Sequence, residues 1–257
     1  TGGAFSTAGN NAVDLHFAWI QLGGLRIGND ESAFDTFSGY AGNVYNDTLV
    51  PYGQFNTNLI SYTFDAGNGF SAIVSLEQGS GAYSLVTRPG DTWVLANNTV
   101  DSYMPHVVLG AKYTQGWGNI SGVVAYNSNY EEWAGKVRVE VQATDQLWLF
   151  LMGGYGTDDN IDRNFYKPWG GNWAVWGGAT YDVNEKTALN AQVSFDDNKS
   201  LGIAANVKYT IVPGFHVTAE VDYVHEGAWS DANYLGSWTG ADKKNSVGGL
   251  IRFQRDF

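Results

Sequence analysis

Along most of this chain apolar and polar residues alternate one by one, so each run sorts into a greasy face and a wet face. In Lys136–Ala143 the residues Val137, Val139, Val141 and Ala143 stand against Lys136, Arg138, Glu140 and Gln142. In Phe215–Tyr223 the set Phe215, Val217, Ala219, Val221 and Tyr223 stands against His216, Thr218, Glu220 and Asp222. The same sorting holds in Phe70–Glu77, His106–Thr114, Ala188–Asp196 and Gly202–Ile211. Neighbouring side chains of a strand point to opposite faces, so a period of two predicts strands rather than helices. No stretch of similar length carries a helical period. The expected class is all-β.

Read this way, the chain holds about thirteen strands, over residues 13–22, 24–28, 55–65, 69–78, 103–114, 117–127, 133–143, 146–156, 172–182, 187–196, 201–211, 214–225 and 245–257. Their connections are of two kinds, in alternation. Tight turns fall at Gly23-Gly24, 65–69, Gln115-Gly116, Thr144-Asp145, Asn184-Glu185 and Pro213-Gly214. Longer polar stretches fall at 29–54, 78–101, 127–133, 156–171, 196–200 and 225–245. Short turns at one end and long loops at the other are the habit of transmembrane β-barrels. Aromatics such as Tyr113, Trp117, Tyr155, Tyr181 and Tyr209 adjoin strand ends, where such barrels carry interfacial girdles. The final strand ends on Phe257, with Val247, Gly249, Ile251 and Phe253 on its greasy side. That is the pattern of a barrel-terminal strand.

Composition narrows the classes. The 257 residues include no cysteine, which fits an exported protein and excludes a disulfide framework or thiolate metal site. A formal charge of −12 argues against nucleic acid as a partner. Catalytic signals are absent. Adjacent acids such as Asp196-Asp197 read as solvated loop charge, and His16, His106, His216 and His225 lack metal-ligand spacing. No phosphate-cradling loop or nucleophile elbow is present. Neither enzyme activity, a cofactor nor a metal is expected.

Several stretches, in order, resemble the general porins of alphaproteobacteria, the rhizobial and brucellar type. They include Leu22–Tyr40, Gly67–Ala72, Tyr103–Val108, Gly122–Tyr126, Glu131–Ala134, Trp173–Gly178, Val212–Phe215 and Ile251–Arg255. The resemblance implies one porin domain over 1–257, a homotrimer of sixteen-stranded antiparallel barrels, and an inward-folded constriction loop at 29–54. Bacterial single-chain barrels have even strand counts. An odd count, together with the family pattern, implies that about three N-terminal strands are missing and that the chain is the later part of a longer porin.

The implied function is a water-filled outer-membrane channel of a Gram-negative bacterium, passing small hydrophilic solutes by passive diffusion. Its surroundings would be outer-membrane lipid and lipopolysaccharide. The candidate constriction acids are Asp30, Glu31, Asp35 and Asp47, with Tyr40 and Tyr45 as packing residues. Carboxylates at a narrow opening give a mild cation preference. The candidate pore wall is His16, Lys112, Lys136, Arg138, Glu140, Lys208, Glu220, Asp222 and Arg252, which set a transverse field across the opening. Two competing readings are a surface-exposed outer-membrane barrel that binds or supports a partner, and a soluble lectin-like β domain.

Overall fold

The computed structural model describes residues 16–53, 56–80, 83–85, 94–96, 98–158, 163–227 and 244–256. Its strands are β1 (Ala18–Leu22), β2 (Leu25–Glu31), β3 (Asn56–Asp65), β4 (Phe70–Glu77), β5 (Tyr83–Leu85), β6 (Val94–Ala96), β7 (His106–Gln115) and β8 (Gly118–Asn127). They continue as β9 (Glu132–Gln142), β10 (Leu147–Gly156), β11 (Trp173–Asn184), β12 (Thr187–Asp196), β13 (Leu201–Val212), β14 (Phe215–His225) and β15 (Asn245–Arg255). One helical turn, α1 (Ala33–Thr36), follows β2. All strands but β5 and β6 form a single 13-stranded sheet in chain order, with every pairing antiparallel. Among the described residues β1 pairs only with β2, and β15 only with β14.

The thirteen-strand reading therefore stands, with shifted edges. Pairing continues to Glu31, because Asp30 and Glu31 lie opposite Thr57 and Asn56 of β3. β7 starts at His106 rather than 103. The long stretch after β4 contains a small hairpin of its own, β5 with β6. Residues 13–15 and Phe257 lie outside the described residues, and so does the assignment of Phe257 as barrel-terminal.

The two faces of the sheet are inverted relative to a globular protein. Val137, Leu151, Val221 and Ile251 are 55, 64, 64 and 70% exposed, whereas Lys136 and Glu220 are 1 and 3% exposed. Tyr113, Trp117, Tyr155, Tyr181 and Tyr209 are exposed on the same outer side. A continuous apolar exterior of this extent requires a hydrocarbon solvent. That excludes the soluble lectin-like reading. Inside, two connections fold back onto the wall: the one after β2, and the one between β10 and β11. Among the described residues, the two buried apolar clusters are built from these segments and the wall they cover.

Candidate pore constriction

The segment 32–53 crosses the interior and touches the inner face of every strand of the main sheet from β4 to β15. Its start is pinned by Glu77, whose carboxylate accepts from Ser32 Oγ at 2.7 Å and from Ala33 N–H at 2.9 Å. Ser32 also caps α1, accepting from Phe34 N–H at 3.1 Å, the arrangement a serine N-cap provides. Phe37 then sits where a side chain on Gly110 would stand, 2.6 Å from the place of a Cβ. Leu49 does the same at Gly202, at 2.5 Å. Glycine within a strand marks such close approaches.

The middle of the segment is held by one buried ion pair. Lys136 Nζ lies 2.6 Å from Asp35 Oδ1 and donates to the Tyr52 carbonyl at 2.9 Å. Both side chains are fully buried. The ammonium also lies over the Phe34 ring at 4.3 Å. Trp176 Nε1 donates to Val50 O at 2.8 Å, and Tyr52 packs edge-on against Trp176. Around these contacts a dry cluster forms from Phe34, Phe37, Val50 and Tyr52 of the segment with Val108, Val123, Met152 and Trp176 of the wall.

The tip is held differently. Glu220 accepts from Tyr45 N–H at 2.7 Å, Asn46 N–H at 2.8 Å and Asn206 Nδ2 at 2.8 Å. Asn46 Nδ2 donates to Asp222 at 2.6 Å, and Asn206 Nδ2 donates to the Asn43 carbonyl at 3.0 Å. Gln192 Nε2 donates to the Asp47 carbonyl at 2.8 Å, while Tyr52 Oη donates to the Asp47 carboxylate at 2.7 Å. The Arg252 guanidinium lies over the Tyr45 ring at 4.5 Å.

These contacts correct several sequence expectations. Asp35 and Lys136 do not face the lumen, because they pair with each other, fully buried beneath the segment. Burial pushes the Asp35 carboxyl up to about 6 against the pull of Lys136. Asp30 and Glu31 sit on β2, not in the loop; Asp30 pairs with Arg26, and Glu31 accepts from the Tyr40 hydroxyl. Asp47 is in the loop, and burial lifts its carboxyl to about 6 as well. His16 precedes β1, is exposed and packs edge-on against Phe17, and among the described residues pairing begins at Ala18 opposite Asn29, so His16 does not join the wall. Asp196 is no solvated loop acid: it is buried and accepts from Gly170 and Ser200 N–H groups.

Lys112, Arg138, Glu140 and Lys208 line space beside the segment. A cavity of about 530 Å³ lies between Ser38–Asn43 and a wall carrying Lys112, Asn119, Arg138, Glu140, Trp148, Phe150 and Asp182. A second, of about 410 Å³, continues past Asn43 and Tyr45 to Asn190, Lys208 and Thr218. Arg138 is ion-paired with Glu140. Lys112 stands over the Phe37 ring at 4.9 Å.

Sequence reasoning missed the second inward segment, 163–172, which it treated as an external polar loop. Phe165, Tyr166, Lys167 and Trp169 are all at most 1% exposed. The signal was present in the bare inner face of β10. A Cβ on Gly154 would stand 3.0 Å from Trp169, and one on Gly156 2.5 Å from Lys167.

An apolar-belted antiparallel sheet wrapped around a polar interior, with a segment folded inward across it, defines the outer-membrane β-barrel channels. The sequence matches the family described as "Porin subfamily" over residues 1–250, and the chain belongs to that family. It is 46% identical to Porin Omp2b of Brucella suis biovar 1 over 259 residues, covering 99% of this chain and 67% of that protein. The match to Porin Omp2b of Brucella abortus (strain 2308) has the same identity and coverage. Among solved structures, a mutant Rh. blastica porin aligns with a TM-score of 0.57 at 15% identity, covering 91% of this chain and 75% of that one. Pseudomonas aeruginosa OccK2 aligns at 0.53 with 11% identity, covering 90 and 72%. The chain is a porin of the Gram-negative outer membrane, a channel protein. The binding or structural barrel is not favoured.

Proposed function

We propose that the chain forms a passive channel for small hydrophilic solutes, narrowed by segment 32–53 and mildly selective for cations. The carrying observation is that this segment lies across the inner wall with polar cavities beside it. Around it Asp30, Glu31, Asp47, Glu140, Asp182, Glu220 and Asp222 outnumber Arg26, Lys112, Arg138, Lys208 and Arg252. Asp35 and Lys136 cancel one another and add nothing to the lumen. An excess of carboxylates in a narrow, poorly hydrated opening favours cations.

Assembly as a homotrimer amid lipid and lipopolysaccharide belongs to the same proposal. So does closure of the sheet by about three further strands between β1 and β15, since unpaired strand edges in hydrocarbon cost several kcal/mol per group.

The test is the reversal potential of reconstituted channels in a potassium chloride gradient. Asp30→Asn with Glu31→Gln should move it toward zero. A purified, folded barrel that passes no current would overturn the channel reading. An unchanged reversal potential would remove these acids from the selectivity.

A further inference from the structure

The connection between β10 and β11 carries an aromatic group that sequence reasoning left among external loops. Phe165 stacks on His106 of β7 with ring centroids 6.0 Å apart and planes 15° apart. Tyr166 packs on Phe34 of the constriction segment at 5.4 Å. Its hydroxyl donates to Glu77 Oε2 at 3.0 Å, the same carboxylate that holds Ser32 and Ala33. Trp169 packs edge-on to Trp176 at 5.6 Å, and Trp176 in turn donates to Val50 O. Hydrogen bonds between side chains and backbone fix the segment to its own wall: Asn164 Nδ2 donates to Trp133 O at 3.0 Å, and Gly170 N–H to Asp196 Oδ2 at 3.1 Å.

We propose that 163–172 is a second constriction element, fused with segment 32–53 into one block that fills the lumen along β4 and β7–β11. Both segments contribute to a single dry cluster containing Ala33, Phe34, Phe37, Phe165, Tyr166 and Trp169. Packed interiors behave as solids rather than adjustable linings, so the width left to solutes is set by both segments. Glu77, fully covered, is the joint: one carboxylate accepts from both. A buried carboxylate with three donors is well satisfied. Taking away Tyr166 and Trp169 uncovers the root of the constriction segment, including Phe34 and Glu77. Water and solute then gain the space along β4 and β7–β11. Tyr166, Trp169 and Glu77 are positioning residues for the aperture.

This inference rests on the channel reading, and the experiment separates the two. Wild-type protein, purified in its native oligomer, is reconstituted in planar bilayers beside Tyr166→Ala/Trp169→Ala, Tyr166→Phe and an outer-face control, Tyr155→Ala. Single-channel conductance is read, together with the largest neutral polymer that enters. A wild-type barrel without current sinks the channel reading itself. With wild-type current, the double variant should conduct more and admit larger polymers. Tyr166→Phe, which keeps the ring and loses only the donor to Glu77, should shift both readouts less, in the same direction; Tyr155→Ala should shift neither. A folded double variant with wild-type conductance and size limit overturns the proposal, even if its melting temperature falls. Should the double variant not fold, wild-type values in Tyr166→Phe overturn it.

Discussion

The root and the tip of the constriction segment are held against the same wall by different chemistry. The root, with Phe34, Phe37, Val50 and Tyr52, sits in a dry cluster around one fully buried ion pair. The tip, from Asn43 to Asp47, is held by hydrogen bonds to Glu220, Asp222, Asn206 and Gln192 at the edge of a polar cavity. Apolar packing is intolerant of displacement, while hydrogen-bonded groups bordering a polar cavity can exchange a lost partner for water. The root is accordingly the fixed part of the aperture and the tip the adjustable part.

The contrast breaks most severely at the root. Lys136→Met leaves Asp35 buried without a counterion, so that it must either carry an unpaired charge or take up a proton, and the loss should be about 3–5 kcal/mol. Limited proteolysis within 32–53 should then become fast, and the melting temperature should fall. Replacing both partners, Lys136→Met with Asp35→Leu, should restore most of the loss, because the pair is surrounded by apolar atoms. Equal losses in the single and double variants would mean that the pair is not what docks the segment.

The tip should give less. Glu220→Gln removes the charge from an acceptor of three hydrogen bonds, and the loss should be about 2 kcal/mol. Its expected mark is flicker in the single-channel current and cleavage near Asn46, with the root still protected. Cleavage spreading equally to the root would mean that the two halves are one cooperative unit.

How much of this was legible in the sequence follows from what alternation encodes. Period two assigns strands and faces, so Val137 outside and Lys136 inside were readable, as was the alternation of short and long connections. Alternation says nothing about what covers an inner-face residue. Asp35 and Lys136 are more than a hundred positions apart and looked like two pore charges; only the fold brings them to 2.6 Å. Glu31 looked like loop because polar residues continue β2, and a strand with water inside carries polar residues naturally. The second inward segment hid for the opposite reason. Its aromatics are set among Asn, Lys and Gly, and the complementary glycines of β10 are informative only once their partners are known.

A smaller effect comes from pH, and its sign is opposite to the intuitive one. Asp35 and Asp47 have carboxyls near 6 in the docked segment against an ordinary value of 3.8, with desolvation the largest cause in both. The docked state therefore holds protons that an undocked one would release. Docking is weakest above pH 6 and strengthens as pH falls through 6 toward 4. Acidification from 7 to 5 should slow proteolysis of the segment. Protonation of Asp47 also removes a negative charge from the lumen, so the cation preference should decline over the same interval. Release of the segment in acid would contradict the assignment of these two groups.

The smallest expected effect sharpens the comparison by touching charge without touching docking. Lys112 stands over Phe37 of the root and has no ion pair within 4 Å among the described residues, whereas Arg138 beside it is paired with Glu140. The ring contact is worth about 0.5–1 kcal/mol, too little to free a segment held by the Asp35–Lys136 pair. Lys112→Gln should leave melting and proteolysis near wild type. It removes one unpaired positive charge from the larger cavity, so the reversal potential should move a little toward cation preference. Arg138→Gln removes the same charge and also strips Glu140 of its partner, so its shift should run in the same direction and be larger. Equal shifts would mean that the freed Glu140 carboxylate does not sense the permeating ions, and no shift in either variant would put the cavity beneath Ser38–Asn43 off the conduction path.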